Sequence, residues 1–413
     1  MFPPCSPVYP PALVTPIASE TLAAVRALTA WVLQRERATE VGSVPPPASE
    51  ALREQLAALP PAALFQGIQR HRLHLFLQGD PAVGDLLPGL QAELQRAARR
   101  EVMAALALAS LTREMAVLFA EAGIPLLVIK GIPLALQTTG SITARGRGDC
   151  DLFVDPSQVG AAIALLQSVG FGLSYGASCV GDDSARGRYS RFVSIEISLH
   201  RDVHNHRQWI DLHWHATWAR GVLPRFQELW QRGEELPINR QLVRTLSRRD
   251  ALVHACCHAA VDRYMALRNL VDIDRFERAL PPAQLVELSR LRTVRKSWQA
   301  MDDAFKEKSA SWRFGRANAV RLKAQRAQQQ PWRSLGDGGW TVTNRLRYFA
   351  HMVNLSHHPL HVFSTLIRQL ITPVDLIDPQ TGDMRSIRQV VLRRAGKLRR
   401  RLEAQAESPD RPD

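Results

Sequence analysis

The 413-residue sequence has few cysteines and no long, uninterrupted apolar run. Its five cysteines fit neither a disulfide framework nor paired CxxC zinc knuckles, which indicates reduced thiols. No uncharged apolar stretch reaches the length of about 18 residues that a membrane helix needs, so no transmembrane segment is expected. The first 19 residues lack a basic region and are broken by prolines, unlike a signal or transit peptide. We therefore expect a cytoplasmic protein.

Positive charge is in excess, because the sequence has 53 Lys and Arg residues and 39 Asp and Glu residues, which gives a formal net charge of +14. This balance favours phosphate-bearing partners but does not choose among nucleotides, nucleic acid and anionic surfaces. The hydrophobic content of 46% is ordinary for a globular protein with a real core. The length predicts two or three domains.

Hydrophobic periodicity predicts helices on both sides of a compact α+β core. We expect five segments: a disordered leader (1–17), an N-terminal helical region (18–123), a catalytic core (124–222), a helical domain (223–335) and C-terminal helices with a basic tail (336–413). Before the core we expect helices over 19–37, 49–59, 62–77 and 90–123. Within the core we expect strands over 125–129, 150–154, 192–199 and 209–214, and helices over 132–137 and 156–169.

Two acids flank a buried position at the start of the second predicted strand. Side chains two residues apart on a strand point to the same side, so Asp149 and Asp151 project together while Cys150 faces the core. Two close carboxylates repel each other unless a cation lies between them, and hard oxygen ligands favour Mg²⁺ or Mn²⁺. The alternative is a loop with two solvated acids.

A third acid interrupts the apolar strand Trp209-Ile-Asp-Leu-His-Trp214. Here Asp211 shares one side of the strand with His213, and an acid on a buried strand costs free energy unless it is paired or metal-bound. Three converging carboxylates can hold the two metals of a phosphoryl-transfer site. The alternative places Asp211 on an exposed side of the sheet.

Candidate phosphate ligands lie before these acids. Lys130 supplies a cation, and Gly131 has no side chain to keep a phosphate from its amide. Arg145 offers a guanidinium fork suited to phosphate, and Arg147 is a nearer alternative. Taken singly, each of these residues is more typical of a surface position than of a phosphate ligand.

Taken together, the order and spacing resemble a bacterial family of uncharacterised nucleotidyltransferases in the polymerase-β-like superfamily. The resemblance covers roughly residues 60–280, including the helical stretch 250–274. It rests on Lys130-Gly131, Arg145, Asp149-x-Asp151-Leu-Phe-Val, the following helix to Gly170-Phe171, and Asp211-Leu-His213-Trp214.

The resemblance implies a polymerase-β-like nucleotidyltransferase core: a small mixed sheet with helices, flanked by helical regions. It implies transfer of a nucleoside monophosphate from a nucleoside triphosphate (NTP) such as ATP, with release of pyrophosphate. Asp149 and Asp151 would bind both metals, and Asp211 would complete the site and help to activate an acceptor hydroxyl. Lys130 and Arg145 would face the triphosphate. The acceptor would be a small molecule, a peptide or a protein, and the resemblance favours a biosynthetic one.

The sequence departs from the wider superfamily at two points. The usual Gly-Ser pair after the first strand is replaced by Lys130-Gly131, so the hydroxyl that contacts phosphate is missing. The distance from Gly131 to Asp149 is also longer than the superfamily norm. Both departures fit the narrower family.

Two histidine-rich segments invite a metal interpretation. Five histidines between 200 and 215 would suit zinc, but an irregular loop fixes no geometry, and we favour a role for His213 beside the nucleotide. His254, Cys257 and His258 share one side of a predicted helix, and a contact between helices is the favoured interpretation there.

A basic segment over 385–402 interleaves arginines with apolar residues. It could bind RNA or an anionic membrane, but we favour a solvated helix packed by its apolar stripe, because aromatic stacking residues are lacking there. Nucleic acid is therefore possible as a partner through this segment but is not favoured. The alternative function for the whole chain is a catalytically idle fold that binds RNA or a protein partner, such as a toxin–antitoxin component.

Overall fold

In the computed structural model, helices surround a five-stranded mixed sheet and a separate two-stranded hairpin, which confirms the predicted α+β class. The structure describes residues 16–146, 149–173, 180–203, 206–305, 350–356 and 358–370, with isolated helical residues at 324, 328 and between 388 and 399. The statements below concern these residues.

The N-terminal helices precede the sheet, and Ser49 begins the second of them as predicted, because its hydroxyl accepts a hydrogen bond from the Leu52 amide. The region predicted as one helix over 62–77 is two helices that meet at a turn. The elements are α1 (Ser19–Glu40), α2 (Glu50–Ala57), α3 (Pro61–Arg70), α4 (His74–Gln78), α5 (Ala82–Leu86), a 3-10 turn (Pro88–Leu90) and α6 (Gln91–Glu121).

The central part of the chain forms the sheet and the helices that pack on it. The elements are β1 (Leu127–Val128), α7 (Ile132–Thr139), β2 (Cys150–Phe153), a 3-10 turn (Pro156–Gln158), α8 (Val159–Ser168), β3 (Gly172–Leu173), α9 (Ala185–Val193), β4 (Glu196–Val203) and β5 (His206–His213). The predicted strand at 192–199 was wrong at its start, because residues 192 and 193 end α9.

Helices dominate again after the sheet. The elements are α10 (Phe226–Arg232), β6 (Glu234–Ile238), β7 (Gln241–Thr245), α11 (Arg248–Val261), α12 (Leu267–Ala279), α13 (Pro282–Leu288), α14 (Arg292–Phe305) and α15 (Pro359–Leu370). The hairpin β6–β7 was not predicted. Most of the basic segment 385–402 lies outside the described residues, as does most of 306–349.

The sheet has the order β1-β2-β5-β4-β3. The β2–β5 pair is parallel, and the other pairs are antiparallel. The hairpin β6–β7 lies beside β1, where the Thr245 hydroxyl donates to the Val128 carbonyl at 2.6 Å. Thus the two strands that carry the predicted acids, β2 and β5, are neighbours in the sheet.

Two hydrophobic clusters form the core. One joins α6 and α8 to the inner side of the sheet and includes Leu152, Ile210 and Leu212. The other joins the N-terminal helices α1–α5 to the helices α10–α14 that follow the sheet. The segments before and after the sheet therefore pack against each other, although far apart in sequence.

One described helical segment, Pro88–Glu121, is long and apolar enough to cross a membrane by length and composition. A third of the most apolar stretch is buried inside the protein. Its residues Ala105, Ala109 and Phe119 belong to the core cluster beneath the sheet.

Candidate active site

Two of the predicted acids lie directly beside each other in the sheet. Asp151 on β2 and Asp211 on β5 are register partners in the parallel pair, so both side chains leave the sheet on the same side. Asp149 stands two residues before Asp151, is exposed, and belongs to the same side. Cys150 and Leu152 face the opposite side and are fully buried, as expected.

Strand β4 adds two polar residues on this side. Ser198 pairs with Asp211, and Glu196 pairs with His213. The Ser198 hydroxyl donates a hydrogen bond of 2.5 Å to Asp211 Oδ1. Burial, followed by the charges of Glu196, Asp151 and Asp149, raises the pKa of Asp211 to about 7. The Asp211 carboxylate is therefore costly to ionise without a nearby cation.

Lys130, directly after β1, reaches the most buried of these acids. Its Nζ lies 2.6 Å from Asp151 Oδ1, and His213 Nε2 lies 3.0 Å from the same oxygen. Burial alone would raise the pKa of Asp151, but the charge of Lys130 and the hydrogen bond from His213 hold it below its ordinary value. The other oxygen, Oδ2, is buried and has no hydrogen-bond partner.

His213 links two acids. Its Nδ1 lies 3.1 Å from Glu196 Oε2, a close ionic contact that lacks the alignment of a hydrogen bond. Burial lowers the pKa of His213, yet Glu196 and Asp151 together raise it above the ordinary value. The proximity of Glu196 to His213 follows from strand register and could not be read from the spacing of the two residues in the sequence.

Gly131 has a conformation that the site requires. It precedes the first turn of α7 with a φ of 61°, in the left-handed region. A Cβ at this position would meet the backbone oxygen of Asp149 at 2.6 Å. The missing side chain therefore lets the segment after Lys130 lie against the segment that carries Asp149.

Arg145 lies in a buried ion pair. Its Nε lies within 3.0 Å of both carboxylate oxygens of Asp272 on α12, and its Nη2 lies 2.8 Å from Oδ2. Arg145 therefore connects its loop to α12, and part of its guanidinium group is already paired with Asp272. The alternative Arg147 lies outside the described residues.

Helix α11 brings a buried histidine, His254, near Lys130 and Asp151. Burial, and then the positive charge of Lys130, lowers the pKa of His254 to about 3, so this imidazole is neutral. Cys257 is also buried, and the contact between helices for these two residues stays a prediction. The side chain of His258 is 42% exposed and lies 3.6 Å from Asp262.

Among the described residues, no group of three or more His, Cys, Asp or Glu side chains is arranged to hold a metal ion. The predicted zinc alternative is therefore not found there; His204 is outside these residues. The chemistry of the acids nevertheless fits a hard divalent cation. Asp151 Oδ2 is buried without a partner, and Asp211 is crowded by other acids, so a cation would relieve both costs.

Comparison with known proteins identifies one family. A family model described as "Uncharacterised nucleotidyltransferase" matches residues 57–299, more than half of the chain, and confirms the resemblance predicted from sequence. No curated protein matches the chain. The chain belongs to this nucleotidyltransferase family.

Proposed function

We propose that the protein is a Mg²⁺- or Mn²⁺-dependent enzyme that transfers a nucleoside monophosphate from an NTP to an acceptor hydroxyl and releases pyrophosphate. Family membership supports nucleotidyl transfer in general. The observation that carries the finer proposal is the register of Asp151 and Asp211 on neighbouring parallel strands, with Asp149 beside them.

Asp149, Asp151 and Asp211 would hold the metal. When bound, the ion supplies electrostatic stabilisation of the charge that develops on the transferred phosphate. The unpartnered Asp151 Oδ2 supports this assignment, as does the crowding that disfavours ionised Asp211.

Asp211 would also help to activate the acceptor. Its hydrogen bond from Ser198 holds one carboxylate oxygen in place, and a carboxylate so positioned can take a proton from the acceptor. The acceptor oxygen would give its proton to Asp211 and form a bond to the α-phosphorus. The bond from that phosphorus to the bridging oxygen would break, and pyrophosphate would leave with the electron pair.

Lys130, Gly131, Arg145 and His213 would bind the nucleotide. Lys130 is exposed enough to leave Asp151 for a phosphate oxygen, since 21% of its side chain is accessible. The amide that follows the left-handed Gly131 opens α7. Arg145 lies four residues before Asp149, and its ion pair with Asp272 would hold it in place for the triphosphate.

A transfer assay tests the proposal. The protein is incubated with each α-labelled NTP, Mg²⁺ or Mn²⁺ and a set of acceptors, and the wild type is compared with Asp149→Ala and Asp211→Ala. We expect metal-dependent NTP binding, release of pyrophosphate and labelling in the wild type only. If Asp211→Ala stays fully active while Asp149→Ala is dead, Glu196 becomes the third carboxylate.

One observation favours the second candidate, an idle fold that binds RNA or a protein. Lys130 and His213 already satisfy Asp151 Oδ1 without a metal. The same assay separates the two candidates, because an idle fold shows neither metal-dependent NTP binding nor transfer of label to any acceptor.

A further inference from the structure

The side of β5 that carries Asp211 continues to an exposed tryptophan. Trp209 stands two residues before Asp211, and His213 stands two residues after it, so all three project from the same side. His213 is 2% exposed, whereas Trp209 is 37% exposed. The side of β5 that carries Asp211 therefore becomes more exposed toward the β4–β5 hairpin.

Trp209 forms an aromatic platform with His200. The two residues are register partners across β4 and β5, and their ring centroids lie 5.0 Å apart with planes inclined at 40°. Ser198, which holds Asp211, is the next residue on this side of β4. The platform thus lies directly beside the carboxylate proposed to activate the acceptor.

The platform also borders the other acid strand. In the parallel β2–β5 pair Cys150 is the partner of Ile210, so one residue earlier Asp149 stands beside Trp209. A group resting on the Trp209 ring would have Asp149, beside β2, and Asp211, on β5, near its edge. An aromatic ring at this position therefore fits substrate binding better than core packing.

The charge around the platform argues against a polyanionic acceptor. Arg207 lies over the Trp209 ring, 5.9 Å from its centroid, but its fork is held by Asp202 at 2.8 and 3.0 Å. Asp149, directly before the neighbouring strand β2, adds an exposed carboxylate. Nucleic acid binding depends on cations that are available to neutralise phosphates, and here the nearest guanidinium is already neutralised.

We propose that Trp209 and His200 form the acceptor subsite, and that the acceptor is an uncharged saccharide. The apolar face of a sugar ring stacks on an indole, while hydroxyl groups at its edge point toward Ser198 and Asp211. This inference rests on the proposed function, because it assumes that an acceptor hydroxyl must reach Asp211.

Saturation-transfer NMR on the full chain tests saccharide binding without any need for turnover. The probes are glucose, galactose, mannose and N-acetylglucosamine, with an oligouridylate as the nucleic-acid probe. We expect saturation transfer to the ring protons of at least one sugar. Trp209→Phe should retain it, and Trp209→Ala should weaken the affinity by about five-fold, as expected for the loss of one aromatic contact. Phe363→Ala, which removes an exposed aromatic ring on α15, is the matched control and should bind as the wild type does.

Three outcomes overturn the inference: sugar signals that are unchanged in Trp209→Ala, signals from the oligouridylate alone, or signals from none of the probes. Metal-dependent NTP binding is measured on the same samples. If the wild type does not bind NTP but binds sugar in a Trp209-dependent way, the proposed function is rejected, and Trp209 belongs to a saccharide site that is not an acceptor subsite. If the wild type binds NTP in a metal-dependent way but shows no Trp209-dependent sugar binding, only the saccharide subsite is rejected.

Discussion

The ammonium of Lys130 lies 2.6 Å from Oδ1 of Asp151, a carboxylate that is 1% exposed. Removing one partner of a buried ion pair leaves an uncompensated charge. We expect Lys130→Met to lower the free energy of unfolding by about 3 kcal/mol, measured by urea denaturation in EDTA. If the acids also bind metal, Mn²⁺ should stabilise Lys130→Met more than it stabilises the wild type.

The matched control for Lys130→Met is Arg96→Met. Arg96 forms an exposed ion pair with Glu93 on α6, and its loss should leave the stability unchanged. Equal stability of Lys130→Met and the wild type would show that Asp151 does not depend on this counter-charge.

The titration of Asp211 predicts how the stability varies with pH. Its pKa of about 7 in the folded chain is above the ordinary value of 3.8, so the folded state holds this proton more tightly than the unfolded state does. The resulting stabilisation is complete below pH 3.8 and is lost as the pH rises through 7. We expect Asp211→Asn to exceed the wild type by about 2 kcal/mol at pH 8.5 in EDTA, with a smaller difference at pH 5.

Asp202→Asn provides the contrast. The hydrogen bond from Arg207 lowers the pKa of Asp202, so any stabilisation from this acid is present at high pH and is lost as the pH falls. Urea unfolding at both pH values measures the two variants. A pH-independent gain for Asp211→Asn would contradict the raised pKa of this carboxyl group.

The glycines at the two ends of α7 allow the cost of backbone strain to be distinguished from the cost of a steric clash. Gly131 and Gly140 both have a positive φ, but a Cβ at Gly140 meets nothing within 4 Å, whereas one at Gly131 meets the Asp149 oxygen at 2.6 Å. We expect Gly140→Ala to cost about 1 kcal/mol. Gly131→Ala should cost about 3 kcal/mol and should also weaken Mn²⁺ binding by displacing Asp149. Equal losses of stability in the two variants would show that the approach to Asp149 is not tight.

The buried pair of Arg145 and Asp272 suits a double-mutant cycle. Each single change, Arg145→Met or Asp272→Leu, should cost about 3–5 kcal/mol, and the double variant should cost less than the sum. If Arg145 also contacts the triphosphate, as proposed, the double variant should fold well yet retain a raised KM for NTP. A normal KM in that variant would confine Arg145 to positioning the loop.

Sequence alone predicted the two acid strands because each carries a strong local signal. An acid inside Ile210-Asp211-Leu212 has few explanations other than a functional one. The pairing of those strands depends on chain topology and not on local pattern, so the sequence could name Asp151 and Asp211 without their register. Arg145 and Asp272 are separated by 127 positions in the sequence, so their contact could not be predicted from local pattern either.

The strands β6 and β7 and the helix α9 were not predicted, and the reasons lie in their local sequences. The turn between β6 and β7 is made by Asn239 and Arg240, both with positive φ, and lacks the glycine that usually marks such a turn. Strand β6 also contains Pro237, a residue that argues against a strand. Helix α9 includes Gly187 and basic residues with little apolar periodicity, which led to the early start predicted for β4.

The parallel pairing of β2 with β5 links the register of these strands to the assembly of the acidic site. Successive side chains alternate between the acids and the core, so a shift of β5 by one residue would turn Leu212 toward the polar site and drive Asp211 into the hydrophobic interior. Misaligned chains would therefore be too unstable to accumulate. Every molecule that completes this sheet already has its carboxylates assembled, with no separate step of maturation.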